Sequence, residues 1–215
     1  MQAYALQLLR NTEIPHGVRF ARLMQTINYL SDIDDRLTAW ARSLPASWIP
    51  IRVSGKEYIP PNIPQAGLYQ PYCDVYTSIF IASLWNKLRL SQIRTKSLII
   101  DCLSQEKSTL NNIKQREACQ LGIQLAVDYI CASVPFNIGD RMRPEDKNVH
   151  YPQAPGRPVP KDHFQSGPAM GGWSLLQPLG TVWGMKINLR DGQKQWIGGQ
   201  MARISRIYGI RRGKG

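Results

Sequence analysis

The sequence lacks the short motifs that identify most enzymes and metalloproteins. It has no phosphate-binding P-loop, no G-x-G-x-x-G dinucleotide fingerprint and no C-x-x-C pair. The only histidines are His16, His150 and His163. His150 and His163 lie in a proline-rich stretch with no third metal ligand nearby, so an exposed loop histidine is the simpler interpretation of each. We therefore expect no catalytic residues, no metal site and no cofactor.

The sequence also lacks the marks of secretion and of membrane insertion. There is no N-x-S/T glycosylation site, no signal-type apolar run at the N-terminus and no run of about 18 apolar residues. Of the four cysteines, three lie within apolar helical patterns, which predicts buried free thiols: Cys73, Cys102, Cys119 and Cys131. We expect an intracellular, soluble chain that does not bind membranes.

Two local patterns suggest chemistry but lack its other components. Residues 171–174, Gly-Gly-Trp-Ser, miss the G-x-S-x-G spacing and the preceding strand of a nucleophile elbow, so close helix packing through glycines explains them better. Asp32 and Asp35 share a helix face, and Asp34 lies beside them. Without a partner acid, base or metal ligand, this group is better explained as a solvated acidic patch.

Size and charge limit the class of protein. A chain of 215 residues fits one domain over residues 1–215, and a hydrophobic fraction of 43% supports a real core. The formal net charge is +12, which favours acidic partners such as nucleic acid, acidic protein surfaces or anionic lipid. Because the charge is spread along the chain, a solvated basic surface is the simpler interpretation.

One long segment organises the predicted fold. The stretch from Tyr72 to Gln105 contains neither proline nor glycine and carries two apolar stripes at helical spacing. One apolar stripe is enough for a surface helix, whereas two indicate neighbours on both sides. We predict one continuous buried helix over residues 74–105, with Asp74 in its first turn. The fold class is therefore all-α, a multi-helix bundle around this central helix.

The remaining elements follow from periodicity and proline. We predict further helices over residues 1–13, 18–44, 109–134, 169–182 and 191–207. Pro135 should end the helix over residues 109–134, and Pro178 should kink or split the helix over residues 169–182. The proline-dense residues 46–71 should form an extended connector, residues 140–166 a disordered loop, and residues 210–215 a frayed basic tail.

Several motifs resemble the C-terminal regulatory region of fungal zinc-cluster transcription factors. Residues 85–89, Trp-Asn-Lys-Leu-Arg, followed by Ile93-Arg94, look like the W-N-x-Y/L-R helix of that region. Upstream, residues 37–48 are similar to its L-x-x-W and L-P-x-x-W stretch. Downstream, residues 130–136, Ile-Cys-Ala-Ser-Val-Pro-Phe, are similar to its I-x-x-S-V/I-P-Y/F helix end.

The resemblance continues towards the C-terminus. Residues 171–179, Gly-Gly-Trp-Ser-Leu-Leu-Gln-Pro-Leu, look like the G-G-x-x-L-L-W-P-L helix, and residues 195–197 and 207–210 look like its closing helix. Gln177 stands where an aromatic side chain is usual. The six-cysteine zinc cluster is absent, so the DNA-reading function is not carried over. We expect the regulatory region alone, as a truncated or stand-alone product.

The resemblance implies a nuclear, non-enzymatic role in transcription regulation, with a small-molecule effector or a protein of the transcription machinery as partner. An effector pocket should lie between helices and be lined by aromatic side chains. Our candidates for this pocket are Tyr76, Phe80, Trp85 and Trp173, although packing in the core is the simpler interpretation of all four. A helical scaffold or protein-interaction domain unrelated to transcription is the alternative function. An enzyme is disfavoured.

No device for reading base edges is visible, so contacts with DNA should be limited to phosphates. The candidates for such contacts lie near the C-terminus: Arg203, Arg206, Arg211, Arg212 and Lys214. We expect no sequence-specific binding, only weak and salt-sensitive association at roughly 10⁻⁴–10⁻⁶ M.

Overall fold

The computed structural model describes residues 16–105 and 109–210, and this part of the chain is mostly helical. The predicted all-α class is confirmed, with one small two-stranded sheet added. The helices are α1 (His16–Ser43), α2 (Asn62–Gly67), α3 (Ile79–Leu103), α4 (Leu110–Ile138), α5 (His163–Ser166), α6 (Gly172–Gly184) and α7 (Gln193–Ile207). The strands are β1 (Ile51–Ser54) and β2 (Tyr72–Val75), and a π-helical segment, Gly167–Gly171, joins α5 to α6.

The chain divides into two compact units. Unit 1 comprises Met1–Ser43 and Leu90–Ala126, and unit 2 comprises Leu44–Arg89 and Val127–Gly215. The long helices α3 and α4 contribute residues to both units. That residues 1–215 form a single domain stays a prediction. The helix predicted over residues 1–13 lies outside the described residues.

Unit 1 has an apolar core built by helix periodicity. Leu23, Ile27 and Leu30 of α1 recur at steps of four and three and are almost fully buried. They pack against buried side chains of α3 and α4, namely Ile99, Cys102, Leu103 and Cys119. Lys96 and Asp34 form a half-buried ion pair beside this core. Asp34 therefore takes part in the packing of unit 1 and does not belong to a solvated acidic patch.

The N-terminal end of the predicted central helix, which lies in unit 2, differs from the structure. Residues 72–75 are not helical; they form β2, which pairs antiparallel with β1 in a register that places Arg52 opposite Asp74. The helix begins only at Ile79, where the Ser78 hydroxyl accepts a hydrogen bond from the Ile81 amide at 3.2 Å. Pairing with a strand more than twenty residues away, together with the ion pair that accompanies it, overrides the local helical pattern.

Two prolines lie inside helices instead of ending them. α4 continues through Pro135 to Ile138, four residues beyond the predicted end at Val134. Gly139, with φ of 55°, then ends the helix in a left-handed conformation that suits glycine. Pro178 lies inside α6, which is not split. The packing of these helices within unit 2 outweighs the hydrogen bond that each proline removes.

Residues 46–71 and 140–166 hold more structure than expected. The first segment is not simply extended, since it contains a 3₁₀ turn (Ala46–Trp48), β1 and α2. The second has little regular structure but is hydrogen-bonded to its surroundings: the Gln153 amide donates to Tyr58 O at 2.9 Å, and Arg157 Nη1 to Ile49 O at 2.9 Å. Its mobility stays a prediction.

Within the described residues, α4 alone is long and apolar enough to cross a membrane by length and composition. In its most apolar window, 72% of the residues are buried inside the protein. Core helices of soluble proteins pass the same test, so this is weak evidence for a membrane span.

The core of unit 1 can be tested with the same substitution at a buried position of α3 and at an exposed position of α4. Ile93 is fully buried, whereas the Ile113 side chain is 39% exposed. We expect Ile93→Ala to lower the free energy of unfolding by about 2–4 kcal/mol and Ile113→Ala by less than about 1 kcal/mol. Urea denaturation followed by circular dichroism measures both. Equal losses would show that α3 is not buried at Ile93.

Candidate functional site

The candidate site is a groove in unit 2 between the start of α3 and the helical run from α5 through the π segment to α6. Its cavity volume is about 470 Å³. Most of the surface exposed in the groove is apolar. The lining residues are four apolar ones, Ile79, Phe80, Met170 and Trp173, and five polar ones, Ser83, Lys87, Ser166, Ser174 and Gln177. Below, this set is called the effector groove.

The rim of the effector groove exposes large apolar side chains. Phe80 is 70% exposed, Met170 57% and Trp173 51%. A single exposed apolar residue is normal on a protein surface, but three around one concavity form a patch of the kind that marks binding sites. The groove can therefore receive an apolar molecule.

Helical spacing explains why these side chains share one groove. On α3, Ile79, Ser83 and Lys87 recur every four residues and form one wall. The opposite wall also shows helical spacing. Trp173 and Ser174 follow Met170 by three and four residues, and Gln177 follows them by four and three. Both walls therefore belong to helices that the core of unit 2 holds in place.

The π segment shapes the second wall. Tyr208, which follows α7, places its hydroxyl between two backbone groups five residues apart: it donates to Gly167 O at 2.9 Å and accepts from the Gly172 amide at 2.9 Å. A carbonyl and an amide at this separation are the pair that a π turn brings together. The Tyr208 hydroxyl thus bridges the widened turn that carries Met170.

Two glycines allow the close packing around this turn. A Cβ at Gly171 would overlap the carbonyl oxygen of Asn137, and a Cβ at Gly172 would overlap the Tyr208 ring. The Ser174 hydroxyl donates to Asn137 Oδ1 at 2.9 Å and fixes the same contact. The predicted packing through residues 171 and 172 is confirmed, and no nucleophile elbow forms, because Ser174 follows a π segment and not a strand.

The structure separates the four predicted pocket residues. Phe80 and Trp173 line the effector groove, but Tyr76 and Trp85 do not. Tyr76 is fully buried, and its hydroxyl accepts from Arg89 Nη1 at 2.8 Å. Trp85 is half-buried and its Nε1 donates to Trp48 O at 2.8 Å. Both side chains therefore make their hydrogen bonds within unit 2 and away from the effector groove.

Sequence reasoning missed Met170 and Gln177. A detectable signal was present, because both lie three or four residues from Trp173, on the same face of a helix. Met170 lies within the helix predicted over residues 169–182, and Gln177 stands where the resemblance leads us to expect an aromatic side chain. Both prove to line the groove.

Arg203 is not accessible for the phosphate contact predicted from the sequence. Its side chain is buried and donates to three backbone carbonyls, Arg141 O at 2.8 Å, Ala66 O at 3.0 Å and Gly139 O at 2.7 Å. Burial lowers the pKa of Arg203 to about 10, so the group stays protonated at neutral pH. The carbonyls lie at and just after the C-terminal ends of α2 and α4, where helix dipoles favour a cation.

The other predicted phosphate contacts have different outcomes. Arg206 is exposed on α7 and can meet an anion from solvent. Arg211, Arg212 and Lys214 lie outside the described residues. Of the histidine, cysteine and acidic side chains that the structure describes, no three come together in a way that could hold a metal ion.

His163, the first residue of α5, lies in an aromatic environment. Its ring is 4.4 Å from the Phe136 ring and 4.5 Å from the Tyr151 ring, centroid to centroid. Because the backbone oxygen of Phe136 can only accept, Nε2 carries the proton and donates to it at 2.9 Å. Burial lowers the pKa of His163, although the Phe136 bond and nearby Asp162 oppose this. His163 is thus a buried neutral side chain and not the exposed loop histidine expected from the sequence.

No family model, no curated protein and no solved structure matches the chain. The likeness to the fungal regulatory region therefore rests on the ordered sequence motifs alone.

The buried His163 predicts a dependence of stability on pH. Since its pKa is lower in the folded state, the unfolded chain binds the proton more readily once the pH falls below about 6.5. This contribution to the free energy of unfolding is constant above that pH and falls below it, by at most about 1.4 kcal/mol per pH unit. We expect His163→Gln, which keeps a donor for Phe136 O, to reduce the loss of stability between pH 7 and pH 5 measured by urea denaturation. Identical pH profiles for the two proteins would contradict the assignment.

Proposed function

We propose that the chain is a regulatory, effector-binding region of a transcription regulator of the fungal zinc-cluster type. It acts in the nucleus without reading DNA sequence and without catalysing a reaction. The observation that carries the proposal is the effector groove, an apolar concavity in unit 2 with three exposed hydrophobic side chains at its rim. The motifs that resemble the fungal family support the transcriptional context.

The dimensions of the groove favour a small molecule as occupant. Its volume of about 470 Å³ falls within the roughly 300–1,000 Å³ typical of ligand pockets. Phe80 and Trp173 offer aromatic faces, and Ser83 on one wall and Gln177 on the other offer hydrogen-bonding groups. The effector is accordingly a mostly apolar, ring-containing compound with one or two polar substituents.

The groove and the family-like motifs coincide along the chain. Lys87 belongs to the Trp-Asn-Lys-Leu-Arg run on α3, and Trp173, Ser174 and Gln177 belong to the Gly-Gly-Trp-Ser run on α6. Gln177 replaces the aromatic that the resemblance leads us to expect. An amide there gives this groove a polar contact, so its effector carries a matching hydrogen-bonding group.

A matched pair of tryptophans tests ligand binding. Trp173 and Trp183 lie on the same helix and are 51% and 42% exposed, but only Trp173 lines the groove. With 1-anilinonaphthalene-8-sulfonate as the probe, we expect Trp173→Ala to weaken binding about tenfold and Trp183→Ala to leave it within about twofold, since buried aromatic contacts carry much of such affinity. Fluorescence titration of the purified chain measures both constants.

Two outcomes would contradict the proposal. If the probe binds the two variants equally well, its site is not the effector groove. If the unaltered chain does not bind the probe, the groove is not a ligand site, and the helical scaffold becomes the better interpretation. Circular dichroism at 222 nm controls for folding of each variant.

A further inference from the structure

The turn bridged by Tyr208 lies directly beside the effector groove. The π segment Gly167–Gly171 carries Met170, and Trp173 follows in the first turn of α6. Both side chains line the groove, so the backbone conformation of this segment decides where two of the three exposed apolar side chains at the rim lie. π turns are rare, carry one extra residue relative to an α-helix, and occur often at functional sites.

Tyr208 contacts this turn through both its hydroxyl and its ring, and the ring centroid also lies 5.7 Å from the Arg141 guanidinium carbon. Its hydroxyl satisfies the Gly167 carbonyl and the Gly172 amide, its ring fills the space above Gly172, and the ring lies 6.4 Å from Trp173 at an angle of 71°. The glycines at 167, 171 and 172 leave the backbone free to change its turn. A side chain inserted into the helical ladder is a recognised cause of such a local distortion.

Removal of the hydroxyl favours a different backbone arrangement. Without the bridge, the Gly172 amide and the Gly167 carbonyl lose a partner, and the segment recovers hydrogen bonds by tightening to α-helical pairing. Closing one π turn shifts the register by one residue, which turns the side chains on one flank by about 100°. Met170 and Trp173 would then no longer face the groove together.

We propose that the Tyr208 hydroxyl is a conformational latch: seated in the π turn, it holds Met170 and Trp173 at the effector groove, and occupancy of the groove in turn keeps it seated. The latch itself follows from the backbone geometry, whereas its coupling to a ligand rests on the proposed function. Because binding and seating stabilise the same conformation, each must favour the other to the same extent.

Tyr151 offers a matched control for Tyr208. Its side chain is buried against the same turn, where a Cβ at Gly167 would meet its hydroxyl. In the described part of the chain, the Tyr151 hydroxyl has no hydrogen-bond partner. Tyr151→Phe therefore removes one hydroxyl from the same neighbourhood without breaking the bridge that Tyr208→Phe breaks.

The latch is tested first without ligand. By NMR hydrogen exchange on the full chain, we expect the Gly172 amide to exchange about tenfold faster in Tyr208→Phe, the factor that corresponds to one typical hydrogen bond, and to change less than about twofold in Tyr151→Phe. Equal rates in the two variants would overturn the latch, whatever the groove binds. Circular dichroism and the thermal transition establish that both variants are folded.

The coupling is tested with the probe 1-anilinonaphthalene-8-sulfonate. We expect Tyr208→Phe to raise the dissociation constant about tenfold and Tyr151→Phe to leave it unchanged. In the unaltered chain, saturating probe should slow exchange of the Gly172 amide, a measurement that does not require the Tyr208 variant to fold. Faster Gly172 exchange in Tyr208→Phe with unaltered probe affinity would overturn the coupling and leave the latch. Failure of the unaltered chain to bind the probe would overturn the proposed function and, with it, the coupling.

Discussion

The burial of one carboxylate constrains the arrangement of unit 2. Asp74 lies in β2 with its side chain only 2% exposed, and a buried carboxylate must be paired. Arg52 of β1 meets it with two hydrogen bonds, at 2.9 and 3.3 Å, and Arg89 of α3 lies 3.6 Å away. The strand pairing and the position of α3 therefore follow from a single charge. Removing Asp74 would leave the buried Arg89 guanidinium without its carboxylate, and breaking a buried ion pair in this way typically costs about 3–5 kcal/mol.

Arg89 extends this constraint to α4. Its guanidinium is buried and donates to the Tyr76 hydroxyl at 2.8 Å, to Asn86 Oδ1 at 2.9 Å and to Tyr129 O at 3.1 Å. Asn86 in turn donates to the Ser133 hydroxyl at 3.0 Å. A polar network of this kind specifies one arrangement, because any shift leaves a donor without its acceptor. It explains why Tyr76, just before α3, is fixed in the core, whereas Phe80 in the first turn of α3 lines the effector groove.

The long helices could be predicted from the sequence because their apolar residues recur with the helical period over many turns. The short strands could not: Ile51–Ser54 and Tyr72–Val75 are only four residues each, and their pairing depends on the contact between Arg52 and Asp74. Burial of Arg203 was equally hidden, since the three carbonyls that it meets come from segments distant in sequence.

Only two of the four residues predicted for the candidate site line it, because tertiary contacts decide which side chains face the groove. Phe80 and Trp173 are aromatic residues on predicted helices, so composition pointed to them. The start of each helix decides which of its aromatic residues face a groove. The start of α3 at Ile79 is in turn decided by the strand β2 before it. The role of Tyr208 depends on a π turn, which no propensity of residues 167–171 announces.

We propose that the effector groove controls transcription. The most direct test of this proposal joins the chain to an unrelated DNA-binding domain and measures transcription of a reporter gene in yeast, comparing the unaltered chain with Phe80→Ala and with Phe164→Ala. Phe164 is 53% exposed but lies outside the groove, so it serves as the control. The account predicts that reporter output changes with Phe80→Ala and not with Phe164→Ala, at equal protein levels. Equal output from all three chains would contradict it.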